Sequence, residues 1–350
     1  MRMTRRQLLA CIPAAAALRS SRAAEAPFER IDTHTHIHRV VPELFRALET
    51  SQWRCLSICV SRAIGGQESD LEEQISGSAE VHRATKGRIA WATAFDARGF
   101  EEHDFAERTI AGLRGDFDHG AIGVKIWKNL GMGIRGKSGH LLPDNAALSP
   151  VFDAMQKADK TLIAHIAEPD GAWMPIDKNN PEFGYYSQHR EWNMYNKPDM
   201  PRKDAILAAR DRMLARHPKL RVVGCHVGSD EEHWDRLAKR FDAYPNFAVD
   251  LAARVRYFVR GDHQQAREFL TKYQDRVLYG TDFVLGPTMT GTDAVEDIER
   301  PHDFDWKFFA TSDTLTFRDR QVQGLGLPEP VVRKIFRENA MRWLPGITKS

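Results

Sequence analysis

The feature that most constrains the fold is an alternation of short apolar runs with longer helical segments. Eight runs rich in β-branched or apolar residues occur in order: RIDTHTHI, RCLSICVS, RIAWATAF, AIGVKIW, TLIAHIAE, LRVVGCHVG, NFAVDLAARV and RVLYGTDF. Between them, apolar residues recur three or four positions apart, as in KDAILAARDRMLARHP, which is typical of amphipathic helices. Strands that alternate with helices pair in parallel through right-handed crossovers. Eight such units predict an α/β fold, a (β/α)8 TIM barrel, with a doubly wound open sheet as the competitor.

Two connections between these elements are longer than plain links. Residues 169–202, rich in aromatic residues, Pro and Asn, follow the fifth strand, and residues 284–303 follow the eighth. Loops that follow barrel strands lie on the C-terminal face, where such barrels build their active sites. Long loops there are usually functional. We therefore expect an insertion after strand 5 and a second after strand 8, with packing or an oligomer contact as the alternative for each.

Length and charge restrict the partners of the chain. At 350 residues, with 42% hydrophobic and 28% charged residues, the chain can bury a sizeable core, and a single barrel domain over residues 25–350 accounts for the length. The 50 basic and 48 acidic residues are interspersed and leave a net charge of +2, which gives no electrostatic basis for nucleic-acid binding. We expect a small-molecule substrate and no membrane span in the mature protein, while the oligomeric state stays open.

The first 24 residues read as an export signal rather than as part of the fold. They combine a charged start, an apolar run from Leu8 to Leu18 and small residues near Ala23, which is the pattern of a cleaved signal peptide. Arg5 and Arg6 make it a twin-arginine candidate, so we expect a periplasmic protein exported by that route. An amphipathic first helix is the alternative.

Four histidines and one aspartate fall at the predicted strand ends. They are His34 and His36 in the first strand, His165 in the fifth, His226 in the sixth and Asp282 in the eighth. Residues two apart on a strand point the same way, so His34 and His36 can both reach one cation at the barrel mouth. If all five were satisfied core residues, their positions at the ends of four strands would require five independent coincidences. The convergence therefore indicates a metal site.

On these residues the sequence resembles the amidohydrolase superfamily, specifically the amidohydrolase-related (amidohydrolase 2) branch of metal-dependent barrel hydrolases and decarboxylases. The resemblance runs from about Arg30 to Trp343 and rests on the first-strand HxH, the two later strand-end histidines and the GTD that ends the eighth strand. It implies a divalent cation held by His34, His36, His165 and Asp282. By the same resemblance His226 contacts water or substrate, and His38 lies outside the pattern.

The expected chemistry follows from the cation. A metal with an open coordination position lowers the pKa of bound water to about 7 and polarises a substrate carbonyl. Hydrolysis of an amide, lactone or ester is therefore the first expectation. Asp282 would accept a proton from that water and pass it to the leaving group, while His226 orients the water or stabilises the oxyanion. A decarboxylase or hydratase, both lyases, on the same scaffold is the alternative. A non-catalytic exported binding protein is the third reading.

Lys125, at the end of the fourth strand in GVKIWKN, leaves the number of metals open. Some members of the superfamily carry a fourth-strand lysine carbamylated by carbon dioxide, which bridges two metals and recruits His165 and His226 to the second. A single metal is the commoner arrangement in the amidohydrolase-related branch. We expect one divalent metal, zinc with manganese as the alternative, and two metals with carbamylated Lys125 as the second reading.

Six residues are candidates for substrate binding: Lys125, Trp127, Lys128, His189, Arg190 and Arg254. Arginine suits a carboxylate through bidentate pairing, and aromatic rings can pack against a planar substrate. Each residue taken alone is as compatible with a structural ion pair or with packing. Together they predict a small anionic organic substrate.

Overall fold

The structure, a computed structural model, describes residues 26–349, so the predicted signal segment over residues 1–24 lies outside the described residues. Its centre is a curled sheet of nine strands. The strands are β1 Arg30–His36, β2 Trp53–Ile58, β3 Ile89–Ala94, β4 Gly123–Ile126, β5 Thr161–Ala164, β6 Val222–Gly224, β7 Phe247–Asp250, β8 Val277–Leu278 and β9 Phe283–Val284.

All neighbouring strands of this sheet are parallel, in the order β8-β7-β6-β5-β4-β3-β2-β1-β9. The last two strands belong to one short stretch of chain, and they pair with opposite edges of the sheet. β8 pairs with β7, whereas β9 pairs with β1. Between them, the carbonyl of Tyr279 accepts a hydrogen bond from the backbone N–H of Thr33 at 2.9 Å. The α/β fold of TIM-barrel type expected from the alternating pattern is therefore confirmed.

Eight main helices follow the strands in sequence: α1 Pro42–Thr50, α2 Leu71–Ala84, α3 Phe105–Asp118, α4 Ser149–Lys157, α5 Lys203–Arg216, α6 Trp234–Ala243, α7 His263–Lys272 and α8 Gly291–Ala310. The helical C-terminus comprises Glu329–Arg333, the π-helical turn Lys334–Glu338 and Asn339–Trp343. Shorter helical turns are Asn129–Met132, Ala146–Leu148, Cys225–Gly228 and Val255–Arg260. Two small hairpins pair Arg135–Gly136 with Gly139–His140 and Thr314–Phe317 with Arg320–Gln323.

The two long connections differ from each other in structure. Residues 169–202 contain only three short helical turns, Asp170–Trp173, Phe183–Tyr186 and Arg190–Trp192. Residues 284–303, expected as a second insertion after strand 8, belong mostly to α8. Thr290 and Asp293 form a capping box that satisfies free backbone groups at the start of this helix, and Pro301 is accommodated inside it.

The barrel interior is apolar at one end and polar at the other. Inward residues such as Ile31, Val223 and Leu278 form a buried cluster with Trp343 and Leu344 of the C-terminus. This cluster leaves the ends of the strands as the place where polar side chains face the interior. No helix within residues 26–349 is long and apolar enough to cross a membrane.

Candidate metal centre

β1 directs His34 and His36 into the polar end of the barrel through a bulge. The register of β1 against β2 slips by one residue between Asp32 and Thr35. A bulge re-aims the side chains that follow it. Ile31 consequently packs in the apolar interior while His34, three residues later, faces the interior as well.

Asp32 secures this bulge and the segment that carries Asp282. Its buried carboxylate accepts the backbone N–H groups of His34 and Thr281, both at 3.1 Å, and the Thr281 hydroxyl at 2.7 Å. The ring Nε2 of His302, on α8, lies 3.0 Å from the same carboxylate. One buried acid therefore ties β1, the residue before Asp282 and α8 together.

Three histidine rings are held in one orientation by acceptors at their Nδ1 atoms. The contacts are His34 to the Asp250 carboxylate at 2.8 Å, His36 to the Ile58 carbonyl at 2.7 Å and His226 to the Ala252 carbonyl at 2.9 Å. Carbonyl and carboxylate oxygens only accept, so each Nδ1 must carry the hydrogen. A neutral ring in this orientation presents a bare Nε2, the form that binds a metal.

The side chain of Asp282 lies against two of these rings. Its Oδ1 is 3.4 Å from Nε2 of His34 and 3.3 Å from Nε2 of His36, and 31% of the side chain is exposed. Lys125 lies beside them, with its Nζ 3.4 Å from Nε2 of His34 and 2.9 Å from Sγ of Cys225. The chain therefore gathers a carboxylate, two imidazoles and an amine within one cluster.

His165, just after β5, lies beside this cluster but belongs to neither group of close ligand atoms described below. Its ring centroid is 4.3 Å from that of His226, and its buried Nε2 has no hydrogen-bond partner among the described residues. Oε1 of Glu168 lies 3.5 Å from this nitrogen, and Glu168 is itself paired with Lys128 and accepts the Tyr186 hydroxyl at 3.1 Å. A buried ring nitrogen without a partner is a free ligand position.

The donor set fits a divalent cation. His34, His36 and Asp282 offer ligand atoms that lie within 4.8 Å of one another, and His34, His226 and Asp250 form a second such group. Imidazole nitrogen with carboxylate oxygen suits zinc and manganese. The first group contains three of the four ligands expected from the sequence.

Charge at the cluster is set by burial and by neighbouring ions. Burial would raise the pKa of Asp282, but the surrounding histidines hold it well below its usual range. Burial lowers the pKa of His226 well below its usual range and that of His165 to about 4. Burial and the Lys125 ammonium act to lower the pKa of His34, whereas the Asp250 carboxylate raises it to about 10. A cation therefore competes with a proton at His34.

Residues other than glycine adopt left-handed backbone angles at the ends of the strands that carry the cluster. The φ angles are 65° at Ala167, 57° at His226, 59° at Val227, 55° at Ala253 and 70° at Asp282. For a β-branched residue such as Val227 this conformation is costly. Strain of this kind persists where surrounding contacts over-determine the backbone, and it clusters at functional sites.

The cluster forms the floor of a cleft of about 310 Å³. Five cationic side chains and three acidic ones line the cleft: Arg62, Lys125, Lys128, Arg254 and Arg256, with Glu168, Glu182 and Asp282. Nζ of Lys128 lies 4.5 to 5.1 Å from the ring centroids of Trp127, Tyr185 and Trp192. This wall therefore combines positive charge with aromatic surface.

A protein-family model described as Amidohydrolase (Amidohydro_2) matches residues 31–346, nearly all of the chain that forms the barrel. The chain belongs to this amidohydrolase family. The resemblance expected from the strand-end residues is confirmed. A search of the curated proteins finds no significant match.

Solved structures share the fold of this amidohydrolase at low sequence identity. The chain is similar to 2,6-dihydroxybenzoate decarboxylase from Rhizobium, with 17% identity, a TM-score of 0.51 and coverage of 91% of this chain and 98% of the other. A dihydroxybenzoic acid decarboxylase from Polaromonas sp. JS666, solved with manganese and the inhibitor 2-nitroresorcinol, has 13% identity and a TM-score of 0.51 over 91% and 97% of the two chains. At these identities the likeness shows the fold.

The amidohydrolase cleft brings together four of the six candidate substrate residues. Lys125, Trp127, Lys128 and Arg254 line it. His189 and Arg190 are exposed and are not among its lining residues; the same segment contributes Tyr185 and Tyr186 instead. Sequence reasoning did not single out Asp250 or Glu168. Asp250 is the last residue of a strand, and the predicted ligand histidines also lie at strand ends. This position in the sequence could have identified Asp250 as a site residue.

Proposed function

We propose that this amidohydrolase is a metal-dependent hydrolase that cleaves a C–N or C–O bond, in an amide, lactone or ester, of a small anionic organic substrate. The observation that carries the proposal is the shared orientation of His34, His36 and His226, whose Nδ1 atoms are all occupied by fixed acceptors while Asp282 faces two of the Nε2 atoms. Four residues would hold the cation: His34, His36, His165 and Asp282. Bound there, a divalent cation supplies Lewis acidity towards water and a substrate oxygen.

Two residues would handle protons. The Asp282 carboxylate is ionised at neutral pH and partly exposed in the cleft, so it can take a proton from water and deliver it to a leaving group. The neutral ring of His226, fixed through the Ala252 carbonyl, can orient the same water through Nε2. Hydrolysis is the first candidate because, before bond cleavage, it needs only groups that can accept a proton. The Asp282 carboxylate and the neutral His226 ring are both in a form that accepts one.

The substrate class is inferred from the cleft wall. Lys125 contacts His34 and Cys225 but no carboxylate oxygen within 4 Å among the described residues. Arg62 is half exposed, and its ion pair with Asp70 spans 3.7 Å. Both cations are therefore available to an anionic group. A cavity of about 310 Å³ is at the small end of ligand sites, which favours a compact substrate.

A lyase reaction is the second candidate, and the charge of the cleft is the observation that favours it. A carboxylate held by Lys125 or Arg62 would lie next to the cation site, in the same cleft. The two decarboxylases that share the fold act on dihydroxybenzoates, so aromatic hydroxy acids belong among the substrates to be tested.

The experiment is a substrate screen in water enriched in oxygen-18, using the full chain loaded with zinc or manganese. Amides, lactones, esters and hydroxybenzoates are incubated, and organic products and carbon dioxide are measured separately. Hydrolysis places one oxygen-18 atom in a product of bond cleavage. Carbon dioxide release without label in the organic product would assign the lyase instead. Asp282→Asn is the matched control, because activity that survives this change does not come from the proposed site.

A further inference from the structure

One buried carboxylate contacts two parts of the metal centre at once. Asp250, the last residue of β7, is 1% exposed. Its Oδ2 lies 2.8 Å from Nδ1 of His34 on β1, which is separated from β7 by β8 alone. Its Oδ1 accepts the backbone N–H of His226 at 2.8 Å and that of Ala252 at 3.1 Å. Both oxygens therefore face hydrogen-bond donors, and β1 and β6 are tied to β7 through one side chain.

We propose that Asp250 is a positioning residue that sets the tautomer of His34 and the backbone angle of His226 together. The inference rests on the proposed function, because it assigns His34 to the cation and His226 to the water. It adds a residue that neither the family match nor the fold neighbours assign.

The carboxylate is suited to this role because it can only accept hydrogen bonds. It requires Nδ1 of His34 to carry a hydrogen and so leaves Nε2 bare towards Asp282 and Lys125. The same group holds the N–H of His226, whose φ of 57° begins a left-handed stretch that continues through Val227 at 59°. Without the Asp250 acceptor, the strained left-handed conformation at His226 would lose a hydrogen bond that stabilises it.

Asparagine at this position can satisfy both partners only if His34 changes its tautomer. The backbone N–H of His226 cannot change its role, so it takes the amide oxygen. The amide NH2 then faces Nδ1 of His34 and favours the tautomer that has its hydrogen on Nε2. That tautomer cannot bind a cation through Nε2. Asp250→Asn therefore tests positioning with almost no change in volume.

The first test is the affinity of the metal-free full chain for manganese, measured by titration with electron paramagnetic resonance. Asp250→Asn should raise Kd by roughly 10- to 100-fold with the number of sites unchanged, as for other outer contacts of ligand histidines. Asp305→Asn is the control, the same substitution at a buried acid that contacts Tyr279 and not the centre, and its Kd should equal that of the parent. An unchanged Kd in Asp250→Asn, or a lost site, would overturn the inference; a lost site would make Asp250 a ligand.

The second test needs no variant and so does not depend on folding of the mutant chain. Nitrogen-15 NMR of the zinc-loaded parent, labelled at histidine, should show His34 with a hydrogen on Nδ1 and zinc on Nε2. Zinc on Nδ1 would refute the positioning role. A parent chain that takes up no metal defeats the proposed function and this inference together, whereas normal metal binding with an unaffected Asp250→Asn defeats this inference alone.

Discussion

Replacement of Asp305 by Asn should stabilise the protein, and the gain should grow with pH. Asp305 lies on α8 and is 7% exposed; its Oδ2 accepts the hydroxyl of Tyr279 at 3.0 Å. Burial, together with the nearby charge of Asp32, raises the pKa of Asp305 from 3.8 to about 8, against the opposing hydrogen bond from Tyr279. The folded protein therefore keeps a neutral acid where the unfolded chain has a carboxylate.

The direction and magnitude of the stability change follow from this difference in protonation. Between about pH 4 and pH 8 the folded state binds more protons at Asp305 than the unfolded state, so stability falls as pH rises through this window. At roughly 1.4 kcal/mol for each pH unit, the cost reaches at most ~5 kcal/mol at the upper end. An amide is neutral at every pH and removes this cost. Because its second N–H must find an acceptor, we expect a net gain of ~2 kcal/mol at pH 8 and little or none at pH 4.

The assay is urea unfolding in the presence of a chelator, followed by tryptophan fluorescence at pH 4.5, 6 and 8, so that metal binding does not contribute. The matched control is Asp303→Asn, which makes the same chemical change at an exposed position of the same helix. Its effect should stay within ~0.5 kcal/mol. A midpoint for Asp305→Asn that equals the parent at pH 8, or a gain that is larger at pH 4.5, would refute the reasoning.

Three further predictions concern the centre and its export. Asp282→Asn should keep much of the metal, because an amide oxygen still coordinates weakly, while turnover falls roughly 100-fold or more; full turnover would remove Asp282 from the proton transfer. His226→Asn should lower kcat with metal content unchanged if one cation is bound, and should remove about half the metal if two are bound. Replacing Arg5 and Arg6 by Lys should leave the precursor in the cytoplasm, which cell fractionation measures; periplasmic protein would indicate a general secretory route.

The parts of the fold that depend on local pattern could be predicted from the sequence. The alternation of strands and helices repeats over short windows of sequence. His34, His165 and Asp282 each lie at the end of a parallel strand, so they fall on the same face of the barrel however the side chains pack. The segment over residues 284–303 was predicted as an insertion, but most of it belongs to α8, which begins at the Thr290–Asp293 capping box and accommodates Pro301 in its interior.

Features that depend on distant contacts could not be read in the same way. The role of Asp250 arises from a contact with His34, 216 positions away in the chain. The bulge in β1 depends on its register with β2, and the outward position of His189 and Arg190 depends on how an irregular segment folds back over the barrel. Residue type and spacing place Asp250 at a strand end, but they do not show which distant groups any of these residues contacts.

A manganese titration of the parent and two variants tests most directly whether His34, His36, His165 and Asp282 hold one divalent cation. The parent should bind about one ion. His36→Ala should weaken binding by more than the roughly 10- to 100-fold that loss of an outer contact costs. His38→Ala, two residues further along, should bind as the parent does, because Nδ1 of His38 contacts Ser78 at 2.8 Å outside the cluster. A parent that binds no metal, or a His36→Ala chain that binds as tightly as the parent, would contradict the account.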